Sequence, residues 1–509
     1  MLQAFCVVSF VLVFSLVSPL AIASAGWTKT YQGVDMDILT PRSVVQSLDG
    51  GYATAIHGYL RRENPAGGPF TYSYELQIMK TDSNGGVQWK HSYPTVEDPN
   101  HVTPTIYTDS EHYTIVQTAD QGYVVAGGNF WLFKVNSQGS VLWSKTYQLN
   151  DESYGSGQYF YSMIQTGDSG FALAGTVYTD DGGSDFWLIK TNSVGATLWN
   201  HTYNSGTYTD SVGNVNLRED IAKSVIQTSD GGYALVGSAS LYRASTSSVV
   251  YSSWVVKTDA QGKQLWNKGY DLLNDQGDEY VIIQTSDKGY AIAGTQNDDF
   301  CLFKTSSTSQ LQWSKIYGDS QRDNPCSLVQ LEDGGYALAG TWTNTTNARP
   351  TMGILRTDSS GQTLWTKTYS VKENSTTFSN EQTKAMIRTS DGSYAIVGNT
   401  QFGSETHADV FFVKTETLEQ PPLTPLPTPT TSEPSITQTP AQTSQSSSSP
   451  KPSPILSPSP TSKASTDSNL SPSPSIPETS PIYVIAVFAM VTSLLVLTKR
   501  KRNILKRFP

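Results

Sequence analysis

Ser224-Val225-Ile226-Gln227-Thr228-Ser229-Asp230-Gly231-Gly232-Tyr233-Ala234-Leu235-Val236-Gly237 holds two β-branched and aromatic runs around a Ser-Asp-Gly-Gly turn. That pattern predicts two strands joined by a hairpin. After a variable insert come Trp254-Val255-Val256-Lys257-Thr258, the turn Asp259-Ala260-Gln261-Gly262, and Gln264-Leu265-Trp266-Asn267-Lys268. The unit is therefore four short strands. It recurs about every 50 residues, the signature of a propeller blade.

The closing tryptophans Trp89, Trp143, Trp199, Trp266, Trp313 and Trp365 mark six complete copies. A further copy begins at Met386, turns at Ser390-Asp391-Gly392-Ser393, reaches Val410–Thr415 and lacks its fourth strand. Trp27-Thr28-Lys29-Thr30-Tyr31 repeats Trp365-Thr366-Lys367-Thr368-Tyr369 letter for letter. The expected fold is all-β: a seven-bladed β-propeller of four-stranded antiparallel blades over residues 26–417, closed by the N-terminal strand completing the last blade. Such closure leaves no free sheet edge for another chain to pair with.

Some columns recur too often to be catalytic, since one active site does not need a copy per blade. The first hairpin carries Asp49, Asp120, Asp168, Asp230, Asp287, Asp333 and Asp391, and the third strand ends in Lys80, Lys134, Lys190, Lys257, Lys304, Arg356 and Lys414. Both turns fall on the same edge of a blade, so each Asp is expected to meet the cation of its own blade or to cap its turn. The innermost-strand glutamines (Gln46, Gln117, Gln165, Gln227, Gln284, Gln330) are expected to join neighbouring blades.

The ends of the 509-residue chain read differently. Residues 1–25 have an apolar run and end in Ala23-Ser24-Ala25, a signal-peptide pattern without a basic n-region; an uncleaved N-terminal anchor is the alternative. Residues 418–480 are dominated by Pro, Ser and Thr and cannot bury a core, which predicts a disordered stalk. Within residues 481–498, Ile482 to Leu497 is apolar apart from Thr492 and Ser493, and 499–509 carry Lys499, Arg500, Lys501, Arg502, Lys506 and Arg507. The expectation is one transmembrane helix and a basic cytoplasmic tail, with a single pass through the cell membrane and the propeller extracellular. Net charge is −10, and the six basic tail residues leave the remainder more acidic still. Nucleic acid is thereby excluded as a partner. Cys301 and Cys326 fall on strands at different radii and are expected to stay apart.

Lys257-Thr258-Asp259-Ala260-Gln261-Gly262-Lys263-Gln264-Leu265-Trp266 resembles the tryptophan-docking repeat of the secreted, quinoprotein-like β-propellers of prokaryotic cell surfaces. The resemblance implies a shared scaffold. It does not carry quinone chemistry, because the adjacent cysteine pair of those dehydrogenases has no counterpart here.

Because hairpins alternate edges, the loops after second strands and the crossovers between blades share the face opposite the tight turns. Long variable loops on a rigid scaffold are where binding residues concentrate. Tyr72, Tyr74, Tyr178, Tyr242 and Trp342, with Asp180 and Asp181, are the candidate ligand-binding residues there. Aromatic platforms beside carboxylates suit sugar rings or protein hot spots. Asp180-Asp181-Gly182-Gly183-Ser184-Asp185 has the composition of a calcium loop without the spacing of one, so no cofactor is assigned. The scattered histidines offer no metal-binding spacing, and no catalytic residue is assigned. Asn200, Asn344, Asn374 and Asn469 head glycosylation sequons. The expected function is an extracellular binding or adhesion module, a monomer that holds a glycan or protein ligand and meets the membrane through its C-terminal helix. A polysaccharide hydrolase using carboxylates, or a purely structural envelope protein, is the alternative.

Overall fold

Each turn tetrad closes a hairpin, as at Thr228, whose N–H donates to the Gly232 carbonyl at 2.8 Å. The computed structural model describes residues 26–417, apart from 33–37, 63–70, 95–111, 150–156, 180–182, 207, 210–214, 217–218, 244–247, 274–278, 319–320, 345–348, 372–378 and 403–407. In chain order the strands are β1 (Trp27–Tyr31), β2 (Ile38–Gln46), β3 (Tyr52–Arg62), β4 (Thr71–Thr81) and β5 (Val87–Pro94). Next come β6 (Tyr113–Gln117), β7 (Tyr123–Gly127), β8 (Trp131–Val135), β9 (Val141–Thr146), β10 (Gln158–Gln165), β11 (Phe171–Tyr178), β12 (Ser184–Thr191) and β13 (Thr197–Tyr203). A small hairpin of β14 (Tyr208–Thr209) and β15 (Val215–Asn216) precedes β16 (Asp220–Gln227), β17 (Tyr233–Arg243), β18 (Ser248–Thr258) and β19 (Gln264–Tyr270). Then follow β20 (Val281–Gln284), β21 (Tyr290–Gln296), β22 (Asp299–Thr305), β23 (Leu311–Tyr317), β24 (Asn324–Gln330), β25 (Tyr336–Asn344), β26 (Arg349–Thr357) and β27 (Thr363–Tyr369). The last are β28 (Ser379–Arg388), β29 (Tyr394–Phe402) and β30 (Ala408–Lys414).

The chain is an all-β propeller whose innermost strands neighbour one another in a closed cycle: β2, β6, β10, β16, β20, β24, β28 and back to β2. Two parts of the expected fold are corrected. Five blades stand as separate four-stranded sheets, β6–β9, β10–β13, β16–β19, β20–β23 and β24–β27, not seven. The other eight strands form one sheet in the order β28-β29-β30-β2-β3-β4-β5, with β1 on β30. A single parallel pair, Ile38 with Ala408, joins its two halves. Turn residues mark where strands end but carry no mark of such a lateral bridge. Second, no helix occurs among the described residues, and none there is long and apolar enough to cross a membrane. The expected span 481–498, like the leader 1–25, the stalk 418–480 and the tail 499–509, lies outside the described residues.

Strand β1 pairs antiparallel with β30, from Trp27 opposite Lys414 to Tyr31 opposite Val410. Hydrophobic packing is layered between successive sheets: Val124, Phe130 and Leu132 interlock with Phe160, Phe171 and Trp187. Outermost strands add a docking contact. The Trp89 indole N–H donates to the Ser137 carbonyl at 3.0 Å, and the Tyr93 hydroxyl to the Gly139 carbonyl at 2.6 Å, both in a turn of the next sheet. Tyr147, Tyr203 and Tyr317 repeat this on Gly195, Gly262 and Gly361. Glycine is required where the indole lies on the turn. A Cβ on Gly85, whose φ is +73°, would stand 2.8 Å from Trp27 Cη2.

The repeated charges are structural. Asp–cation distances are 2.7 Å for Asp49–Lys80, 2.5 Å for Asp120–Lys134, 2.8 Å for Asp168–Lys190, 2.9 Å for both Asp230–Lys257 and Asp287–Lys304, and 2.7 Å for Asp391–Lys414. Arg356 pairs with Asp333. Each Asp also caps its turn, as Asp230 does by accepting from the Gly232 N–H at 3.0 Å. The glutamines join neighbours: Gln117, Gln227, Gln284 and Gln330 accept from Leu48, Gly167, Ser229 and Ser286 N–H groups at 2.7 to 2.8 Å. Gln46 accepts from Ser390 at 2.8 Å across the seam of the ring.

Candidate functional site

Five innermost strands carry a β-bulge at the same level. Register slips between Pro41 and Ser43, Phe160 and Ser162, Ala222 and Ser224, Pro325 and Ser327, and Thr383 and Ala385. The extra residues are Arg42, Tyr161, Lys223, Cys326 and Lys384. Glycine opposite makes room for the displaced backbone, since a Cβ on Gly237 would lie 1.9 Å from the Ile221 carbonyl oxygen. The serine after the bulge braces the next innermost strand: Ser43, Ser162 and Ser327 Oγ accept from Ile115, Val225 and Met386 N–H groups at 3.3, 3.3 and 2.9 Å. Bulges re-aim side chains.

His112, immediately before β6, shows where these side chains go. Its ring centroid is 4.5 Å from that of Tyr161 in an edge-to-face contact, and Lys223 Nζ stands 3.9 Å from the Tyr161 ring centroid. Burial holds the His112 imidazole pKa down at about 3, with the charges of Lys223, Arg42 and Lys384 adding to the effect. Lys223 lies on β16 and Lys384 on β28, each separated from β6 by an intervening innermost strand. The ring contacts run between neighbouring innermost strands, from β6 to β10 and from β10 to β16. Cys326 completes the collar: burial pushes its thiol pKa up, Glu279 adds to this, and Lys384 opposes it. The charges of Lys223, Arg42 and Lys384 thus bear on His112, and those of Glu279 and Lys384 on Cys326. Cys301 is buried, Cys326 half-buried, and both are free thiols.

Beside the collar, β10 and β11 present two tyrosines on one sheet face. Tyr159 and Tyr178 are 37% and 44% exposed, among the few large apolar side chains facing solvent. Tyr159 pairs with Thr176, and the Tyr178 N–H donates to the Gly157 carbonyl at 2.9 Å, so the two are diagonal cross-strand neighbours. Partial burial, then Glu219, then Tyr159 raise the Tyr178 pKa. Glu219 is held beside them by a parallel bridge to Ser184.

The other sequence-derived candidates are spread over separate sheets. The backbones of Tyr72 and Tyr74 lie on β4 opposite Arg61 and Tyr59, and that of Tyr242 on β17 opposite Val249. Trp342, on β25, packs on the neighbouring sheet, 4.3 Å from the Phe300 ring. Asp180 and Asp181 lie outside the described residues, as do Asn374 and Asn469. Asn200 is exposed on β13, its Oδ1 accepting from the Trp187 indole at 3.3 Å, and Asn344 ends β25. No cluster of metal-ligating side chains occurs among the described residues. Other conspicuous carboxylates serve the crossovers: Asp220 accepts from Ser205 N–H and Oγ at 2.6 and 2.7 Å, and Glu381 from Val371 N–H at 3.1 Å.

Sequence reasoning missed the collar. A signal was present: Arg42, Tyr161, Lys223 and Cys326 each stand four residues before a column glutamine, and Lys384 four before Arg388.

No family model matches the sequence, and no curated protein does. Among solved structures, the chain is similar to a polysaccharide lyase, the PL25 ulvan lyase bound to a GlcA–Rha3S saccharide, at 8% identity and a TM-score of 0.44, covering 76% of this chain and 96% of that one. It is similar to the NanB sialidase of Streptococcus pneumoniae at 8% identity and 0.39, covering 76% and 70%. The α-L-arabinofuranosidase Arb93a of Fusarium graminearum matches at 10% and 0.39, covering 65% and 98%. Likeness at this level transfers no chemistry to the present chain.

Proposed function

We propose that this propeller is an extracellular binding module that seats a carbohydrate on the rim formed by Tyr159 and Tyr178. The observation that carries the reading is the pairing of two solvent-facing tyrosines on one sheet face beside Glu219. Sugar C–H faces stack on aromatic rings, and a carboxylate accepts from ring hydroxyls. The signal-like residues 1–25 and the Pro/Ser/Thr-rich 418–480 support a place outside the cell. The Lys257–Trp266 unit supports scaffold kinship with the tryptophan-docking propellers.

Calorimetric titration of the chain with a panel of oligosaccharides tests the reading. Binding of at least one, weakened about tenfold in Tyr178→Ala with an unchanged melting temperature, is the expected result. Unaltered affinity in Tyr178→Ala and Tyr159→Ala would remove the rim from the site.

A further inference from the structure

We infer that the rim of Tyr159, Tyr178 and Glu219 recognises a positive charge on its sugar: the ring it holds carries a free amine, as in a hexosamine. The inference rests on the proposed carbohydrate reading and extends it to the chemistry of the group recognised.

Backbone register sets the three side chains together. Ser184 lies between two partners, Tyr178 opposite it on β11 and Glu219 bridged to it in parallel on the other side. Directly paired residues share a sheet face, so Tyr178 and Glu219 rise on the same side, their backbones two strand spacings or about 10 Å apart. Tyr159, opposite Thr176, belongs to that face as well. Gly157 leaves the Tyr178 ring room to lean across β10, since a Cβ there would stand 2.3 Å from Tyr178 Cδ2. Glu219 is fixed through its main chain: its N–H donates to Ser240 Oγ at 2.8 Å, and its carbonyl accepts from the Ser240 N–H at 3.0 Å. Its side chain is exposed and has no lysine or arginine partner among the described residues. Neither tyrosine ring is covered by another ring or by a cation among those residues. After partial burial, the Glu219 charge is the next cause of the raised Tyr178 pKa, in keeping with their closeness.

Charge decides between an amine and a hydroxyl. A sugar hydroxyl can donate to Glu219, but an ammonium makes a charge-assisted hydrogen bond of roughly twice the strength. The electron-rich faces of Tyr159 and Tyr178 attract the same cation. The net charge of −10 draws cationic ligands to the chain and disfavours acidic ones.

The test compares oligomers of glucosamine, N-acetylglucosamine and glucose, matched in linkage and length, so that they differ only at C2. Each is titrated into the full chain and into Glu219→Gln, Glu219→Asp and Tyr178→Ala variants, at a pH where the amine is charged. The expected result is about fivefold tighter binding of the glucosamine oligomer than of either counterpart, weakening as salt rises. That preference should vanish in Glu219→Gln and survive in Glu219→Asp, with binding of the other two oligomers unchanged. Equal affinity for all three, tighter binding of a counterpart, or a preference that survives in folded Glu219→Gln overturns the inference. The rim reading then still stands if Tyr178→Ala weakens binding. Affinities unmoved by Tyr178→Ala overturn the rim reading itself, and the inference with it. Failure of the glucosamine oligomer to bind overturns the inference alone where another saccharide binds in a Tyr178-dependent way. Circular dichroism of each variant separates a lost site from a lost fold, and the comparison at C2 in the unsubstituted chain holds whatever the variants do.

Discussion

The Tyr31 hydroxyl donates to the Gly85 carbonyl at 2.8 Å, so a strand from the start of the described chain is locked to a turn 54 residues away. The Trp27 indole N–H adds a second bond, to the Ser83 carbonyl at 3.1 Å. These contacts fasten β1, on the edge of the eight-stranded sheet, against the β4–β5 turn. Tyr31→Phe is expected to cost about 1 kcal/mol, and Trp27→Ala roughly 2–4 kcal/mol. Denaturant melts measure both. Faster amide exchange in β30 than elsewhere would place the loosening at the seam.

Tyr369 occupies the same place in β27 and has no such carbonyl. Its buried hydroxyl finds no hydrogen-bond partner among the described groups. The reason is topological: the turn it would reach is the one missing between β30 and β1. Lys367 pairs with Glu416 there instead, at 2.8 Å. Removing an unpartnered buried hydroxyl relieves a desolvation cost. Tyr369→Phe should therefore be neutral or stabilising in thermal melts, while Tyr203→Phe, which deletes a 2.6 Å bond to Gly262, should lose about 1 kcal/mol.

Acid should loosen the sheets through the repeated aspartates. At Asp120 the Lys134 hydrogen bond leads the fall in pKa to about 2. At Asp168, Asp230 and Asp287 partial burial acts upward and is outweighed by Thr hydroxyl, Lys and backbone N–H donors, again leaving the pKa at about 2. Folded pKa values below the ordinary carboxylate value mean stability that is complete above about pH 4 and lost as pH falls toward 2. Each Asp is more than half exposed, so each pair is worth a fraction of a kcal/mol, and the sum is what unfolds the protein. Urea melts across this range should show the decline, with a shallower slope in Asp230→Asn.

His112 should report on the collar. Burial, then Lys223, Arg42 and Lys384, keep it neutral down to about pH 3. Lys223→Gln removes one repelling charge, so the imidazole should titrate at higher pH while remaining below the ordinary histidine range, because burial persists. Histidine ring resonances followed by NMR across pH 2–7, on the order of that interval, give the answer.

The strands, their turns and the Asp–cation pairs were legible because each is written locally. A turn needs Asp and Gly at fixed positions, and Asp230 meets Lys257 within one repeat. The division into sheets was not, since the Ile38–Ala408 pair depends on where two distant strands happen to lie. The collar escaped for a related reason. A bulge inverts the inside–outside alternation for one residue, so Lys223 looks in sequence like an ordinary polar position beside Ser224. Tyr178 was found because its type and place in a variable loop point to binding, whereas its partner Tyr159 stands on a strand. Trp342 was read as a platform from its type alone, and its contact with Phe300 belongs to packing between sheets.

β30 is flanked on both sides, by β29 and by β1. It runs from the rim edge toward the tight turns, where the chain continues past Thr415. A pull along this strand would have to slide two ladders of hydrogen bonds together. An outermost strand under the same force would unzip one rung at a time. Threading the exit through an inner position makes the seam, which lacks a connecting turn, the mechanically guarded part of the ring.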